Sequence, residues 1–169
     1  ENAFKLLTTT NVTEAENLAQ ILEEGNRERQ RVESSAFEEA LEMIETDALA
    51  DECSVIVIDS PHWHQGVLGI VAARVVERYQ KPSIVISKRN GVGKGSGRSI
   101  PSFSLFEGVL KCEELLINFG GHAQACGLTI REENIPLFRK QLNETVDRNK
   151  DSFTVLPELS IDSEISLPE

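Results

Sequence analysis

The sequence predicts an α/β fold, a mixed β-sheet flanked by helices and preceded by a long N-terminal connector helix. Three observations carry this. The runs Ser-Val-Ile-Val-Ile at 54–58 and Ser-Ile-Val-Ile-Ser at 83–87 are β-branched and lack polar alternation, as strands buried on both faces do. Between them, residues 66–79 repeat Val67, Ile70, Val71 and Val75 at helical spacing, and Pro82 closes the segment. Strand, helix and strand make a βαβ unit, so the two strands are expected to be parallel with a right-handed connection. Finally, the first 50 residues set a thin apolar stripe in a highly charged background.

Taken in order, Thr13 followed by Glu16 reads as a capping box. Leu18, Ile21 and Leu22, then Val32, Ala36, Phe37, Ala40, Leu41 and Ile44, recur at helical spacing. One long or once-broken helix is expected over 13–46, with Gly25 as its irregularity. A stripe that narrow must lean on another body, hence a connector. Residues 1–12 are expected to be the tail of a preceding region. Asn90-Gly91 marks a turn, and 92–100 a third strand. A helix is expected over 105–116, a strand over 127–131, and a last helix over 135–148, opened by Asn134 and Pro136. From Leu156 the chain alternates like a strand. The expected organisation is a connector at 1–50, an α/β domain at 51–150, and the start of a further domain at 151–169.

The net charge of −11 argues against nucleic acid until it is mapped along the 169 residues. Residues 1–52 carry 14 acids and 4 bases, whereas 74–98 carry seven bases against Glu77. The local field, not the total, decides where a polyanion docks. No apolar run approaches the roughly 20 residues of a membrane span, and no signal-peptide pattern opens the chain. A cytoplasmic protein without a membrane partner is expected. Three scattered cysteines, Cys53, Cys112 and Cys126, suit reduced buried thiols better than disulfides.

Two glycine-rich segments carry the chemistry. At 93–99, Lys94, Gly95, Ser96, Gly97, Arg98 and Ser99 set hydroxyl and guanidinium donors among glycines, whose backbone N–H groups can approach an anion. The lysine is misplaced for a Walker loop, and a glycine-rich hairpin with a solvent-facing arginine is the alternative. At 120–122, Gly120, Gly121 and His122 offer a phosphate donor or a turn with a structural histidine. His62 and His64 flank Trp63 beyond the first strand, where α/β sheets bind ligands. A third metal ligand is missing nearby, so a positional role is expected for them. Asp59 has no second carboxylate beside it in sequence. No complete catalytic set and no metal site are expected in this chain.

Val-Ile-Val-Ile-Asp-Ser, Trp-His-Gln-Gly-Val-Leu-Gly-Ile, Lys-Pro-Ser-Ile-Val-Ile-Ser, Gly-Lys-Gly-Ser-Gly-Arg-Ser and Phe-Gly-Gly-His-Ala-Gln-Ala-Cys-Gly-Leu occur in that order. Together they resemble the RecJ family of single-stranded-DNA-specific 5′→3′ exonucleases, within the DHH and DHH-associated phosphoesterase superfamily. Gln65 stands where a proline is frequent in the family, and Cys126 where an alanine is usual.

The resemblance implies that this chain holds the connector helix and the DHH-associated, substrate-binding domain, with 151–169 opening an OB-like domain. It implies that Ser96 and Arg98 hold a substrate phosphate and that Gly120, Gly121 and His122 face the cleft, His122 in a supporting role. Mn²⁺ or Mg²⁺ is expected in a catalytic DHH domain upstream of Glu1, so these residues alone should bind no cofactor and not hydrolyse DNA. The expected partners are single-stranded DNA, that DHH domain and a single-strand-binding protein, in DNA repair and recombination. Alternatives are a related oligoribonuclease or cyclic-dinucleotide phosphodiesterase, or a non-catalytic module whose acidic helix docks a protein.

Overall fold

The computed structural model describes residues 1–148 and Ser163, so all of the expected tail strand but Ser163 lies outside the described residues. The first helix is α1 (Asn2–Thr8), which folds against α2 (Val12–Thr46). The cap of α2 is Asn11, not Thr13. The Glu14 N–H donates to Asn11 Oδ1 at 3.1 Å, and the Thr9 hydroxyl donates to the Glu14 carboxylate. Glu14 thereby takes the part expected of Glu16. Nor does Gly25 break the helix. It sits in open space, and its cost is the ~1 kcal/mol of a weak helix former. A short α3 (Leu49–Glu52) follows, fastened by Lys81, whose Nζ donates to the carbonyls of Ala50 and Cys53.

Five strands follow: β1 (Ile56–Ser60), β2 (Ser83–Arg89), β3 (Val92–Arg98), β4 (Leu116–His122) and β5 (Ala125–Arg131). They lie in the order β1-β2-β3-β5-β4. The β1–β2 pair is parallel and the others antiparallel, which makes the sheet mixed. The crossover is α4 (Leu68–Tyr79), entered through a 3₁₀ turn, Gln65–Val67. Asn90 and Gly91 both take positive φ, 54° and 77°, as a two-residue hairpin turn requires.

The helix expected over 105–116 is corrected. α5 (Leu105–Leu110) is short, a 3₁₀ turn spans Glu113–Leu115, and the chain then extends into β4. Turning there seats Cys112 in the core with no exposed surface and lets β4 pair along β5. Ile117 sits in a bulge between Leu116 and Asn118, which hides the strand's alternation. Likewise β5 begins at Ala125, not 127. α6 (Ile135–Asp147) closes the domain; Asn134 caps nothing with its side chain, whose Nδ2 donates to Leu115 O at 3.1 Å.

The sheet separates two apolar layers. On one face, Ile84, Ile86, Leu128 and Ile130 meet Leu105 and Val109 of α5 and Phe138 and Leu142 of α6. On the other, Ile56, Ile58 and Val85 meet Val71 and Val75 of α4 and Ala36, Ala40 and Ile44 of α2. Small residues at four-residue spacing let α2 lie close. A carboxylate fixes it there: Glu39 accepts from Trp63 Nε1 and from the Ser60 hydroxyl, each at 2.8 Å. At the β1 edge, Asn143 of α6 replaces a missing strand. Its Oδ1 accepts the N–H groups of Ser54 and Val55 at 2.8 and 2.9 Å.

Burial pushes the thiols of Cys112 and Cys126 up to about 11 and raises that of Cys53. At pH 7.4 a disulfide reagent should therefore modify Cys53 first and reach the other two only on unfolding; prompt labelling of all three would contradict this packing. The unfolded thiols ionise near pH 8.5. Stability tied to the two buried thiols is thus complete below that value and lost as pH rises through about 11.

Candidate nucleic-acid interface

β3 lies between β2 and β5 along its whole length, so its amides belong to the sheet ladder. The expectation that Gly93, Gly95 and Gly97 turn backbone N–H groups toward an anion is therefore corrected. These glycines face the core. A Cβ on Gly97 would stand 2.6 Å from Leu105 Cδ2, and one on Gly93 2.8 Å from Ile86 Cγ2. Side chains of the alternate residues, Lys94, Ser96 and Arg98, take the other face, toward α4.

Residues opposite each other in an antiparallel pair share a face. Arg98 pairs with Ala125, and Ala125 with His122, so Arg98 and His122 stand on one face, two strands apart. Ser96 likewise aligns with Gly127 and Gly120, and Lys94 with Thr129 and Asn118. α4 covers only the β1–β3 part of this face, which leaves the β5–β4 part open. The result is a trough of about 490 Å³, with Gly127 and Gly120 as its floor and Gln65, Leu68, Lys94, Ser96 and Asn118 among its walls. A Cβ on Gly120 would meet nothing within 4 Å.

Arg98 Nη1 donates to Gly97 O at 2.9 Å and to Ser96 Oγ at 3.3 Å, which holds the guanidinium beside Ser96, itself a wall of the trough. Its Nη2 lies against the first turn of α4, where a Cβ on Gly69 would come within 2.9 Å. A guanidinium thus abuts the positive end of a helix dipole with no carboxylate between them, an arrangement that favours an anion. His122 is exposed, and its Nδ1 accepts the Gln124 N–H at 3.3 Å, so the neutral ring carries its proton on Nε2. The Ser99 hydroxyl donates to Phe103 O at 2.7 Å and serves the turn after β3. Gly121 also serves structure, at φ 149° in the β4–β5 hairpin.

Charge is sorted by face. Among the described residues, only Lys81, Arg89, Lys94, Arg98 and Lys111 of the lysines and arginines lack a carboxylate partner. Lys81 is held by carbonyls, and three of the remaining four lie on the β2–β3 hairpin. On the opposite face Asp59 binds Lys88 at 2.8 Å and Arg139 at 2.6 Å, so it is a structural anchor. Trp63 is buried, and His64 Nδ1 accepts from Gly66 N–H. Among the described residues no three His, Cys, Asp or Glu side chains cluster as a metal site would need. No helix among them is long and apolar enough to cross a membrane.

Gly69, Asn118 and Thr129 belong to the site although no motif marks them, and Gln65, marked only as a departure from the family pattern, lines the trough. Gly69, a glycine inside a helical pattern, was the one available signal, since such a glycine often marks close packing.

Residues 52–148 match the DHHA1 domain family. The single-stranded-DNA-specific exonuclease RecJ of Bacillus subtilis is 39% identical over 162 residues, which are 95% of this chain and 20% of that protein. RecJ of Escherichia coli is 33% identical over 171 residues, 97% of this chain and 30% of its own length. The chain therefore spans less than a third of either relative. Two solved structures are similar over 87% of the chain. Exonuclease RecJ bound to manganese gives a TM-score of 0.76 at 32% identity, with 36% of that chain covered. RecJ of Thermus thermophilus in complex with Mg²⁺ gives 0.78 at 31% identity, with 22% covered.

Proposed function

The chain belongs to the DHHA1 domain family, and from that premise we propose that its trough grips a phosphate of single-stranded DNA for a RecJ-type 5′→3′ exonuclease. The observation that carries this is the alignment of Arg98, Ser96 and His122 on one sheet face, beside an open trough that Lys94 and Ser96 line over Gly120 and Gly127. Arg98 pairs with two phosphate oxygens and Ser96 donates to a third, while Lys94 adds sequence-independent attraction. His122 Nε2–H donates to a non-bridging oxygen and steadies the charge that grows there. Gly120 and Gly127 let the sugar–phosphate chain lie flat.

Cleavage falls, in this reading, to a DHH part carrying Mn²⁺ or Mg²⁺, and the described residues supply grip without hydrolysis. The metals named in the two solved relatives support that division. A cytoplasmic role in DNA repair and recombination belongs to the same reading, as does partnership with a single-strand-binding protein.

The test is binding of a 5′-phosphorylated oligodeoxynucleotide, read by fluorescence anisotropy. Arg98→Ala should weaken it by about 1–3 kcal/mol, the worth of a charged phosphate contact, with the melting temperature unchanged. Gly120→Val should also bind poorly while folding normally, because its side chain would enter the open trough. Unchanged affinity in both variants would remove the proposal. Tighter binding of oligoribonucleotides or cyclic dinucleotides would move it to a sister phosphodiesterase.

A further inference from the structure

Arg89 has no partner in the phosphate grip described above and no carboxylate partner among the described residues. It pairs with Val92, and Lys94 with Ser87, so Arg89 shares the α4 face with Lys94, Ser96 and Arg98. The neighbouring Lys88 points to the opposite face and is neutralised by Asp59 at 2.8 Å. One hairpin therefore pairs the cation on its α6 side and leaves the cations on its α4 side bare.

We infer that the strand gripped at Arg98 runs on along the β2–β3 hairpin, past Lys94, to a second phosphate station at Arg89 beside His62 and His64. This rests on the function proposed above. The trough and a neighbouring depression of about 470 Å³, lined by His62, His64, Ser87 and Arg89, share Gln65 as a common wall. The loop at this second station is held in place from below. Trp63 is buried, and its carbonyl accepts the Ser87 hydroxyl at 2.7 Å. His64 Nδ1 accepts the Gly66 N–H at 3.0 Å. Both imidazoles are exposed. Flat rings on a fixed loop, next to an unpaired guanidinium, offer bases a stacking surface and phosphates a donor.

Geometry sets the length of the track. From Val92 to Arg98 is six strand steps, about 20 Å, which is about six nucleotides when stacked and fewer when extended. The electrostatics set its end. The next depression, between α2 and the same loop, carries Glu28 and Glu39 in its wall, and its Arg31 is already paired with Glu28 at 2.8 Å. A phosphate would be repelled there.

The experiment measures binding of 5′-phosphorylated oligothymidylates of graded length, from dinucleotide to dodecamer, to the whole 169-residue chain across a salt series. Affinity should climb with length and level off near the hexamer. Arg89→Ala should weaken the dodecamer about 5–10-fold and lower its salt slope by about 0.7, the value of one single-strand phosphate contact. The dinucleotide should change less than about twofold, whereas Arg98→Ala should weaken every length. Lys111→Ala, an unpaired cation on α5's side of the sheet, should change nothing. If Arg89→Ala leaves the dodecamer and its slope intact while Arg98→Ala weakens binding, the extended track is wrong and the grip stands. If Lys111→Ala costs as much as Arg89→Ala, the attraction is diffuse charge and the track is also wrong. If Arg98→Ala is silent too, the underlying grip fails with it.

Discussion

Gly121→Ala should melt the β4–β5 hairpin, at a cost of about 3–5 kcal/mol. Its added Cβ would stand 2.2 Å from Ala125 O and 2.7 Å from Cys126 Cα. Both are backbone atoms in the paired strand, so no side-chain rotation relieves the overlap. The φ of 149° adds strain for any residue with a Cβ. Strain of that kind is worth ~1–3 kcal/mol, and the collision adds a similar amount. The measurement is urea unfolding, with Gly120→Ala as the control. That neighbour faces open space and should stay within about 0.5 kcal/mol of the parent. Equal stability for the two variants would show that the hairpin geometry described here is wrong.

Asp59→Ala should be the second most damaging change. One carboxylate holds two cations, Lys88 at 2.8 Å and Arg139 at 2.6 Å, and joins the ends of β1 and β2 to α6. Breaking a fully buried pair costs ~3–5 kcal/mol. Here the Lys88 and Arg139 side chains keep 24% and 34% of their surface, so about 2–3 kcal/mol is the better expectation. The same contact leaves a pH signature. The hydrogen bond from Lys88 to Asp59 raises the lysine's affinity for its proton. Stability from that pair is complete below about pH 10.4, the unfolded lysine's value, and is lost as pH rises through the higher folded value. Chemical unfolding between pH 7 and 11 should show a decline in the parent that is shallower in Asp59→Ala. Parallel profiles would leave the pair without a role in stability.

What could be read from the sequence tracks how local each signal is. β1 and β2 are buried on both faces, so their β-branched runs stand out, and Asn90-Gly91 has one short-range explanation. β4 is an edge strand with two glycines, three exposed residues at its end and a bulge at Ile117, so no alternation survives. Leu105, Val109 and Cys112 kept helical spacing and concealed the early stop of α5. The donors Ser96, Arg98 and His122 were legible as residue types. Their alignment through Ala125 was not, because it depends on pairing strands separated by a helix and a turn. The glycines of β3 misled for a physical reason: absence of a Cβ admits a ligand or a neighbouring isoleucine equally well, and only the burial of Ile84, Ile86 and Ile130 distinguishes the two.

The long helix has the proportions of a lever. α2 has 35 residues, about 52 Å of rise, yet its grip on the sheet lies in its last third, at Ala36, Ala40, Ile44 and the Glu39 clamp. Further back, Glu33 pairs with Arg74 of α4 at 3.2 Å, and from Glu33 to Val12 is about 31 Å. A tilt of about 5° there would sweep the far end through roughly 2.7 Å, about the length of a hydrogen bond. A small adjustment beneath Trp63 would thereby be felt at the Val12 end of the helix.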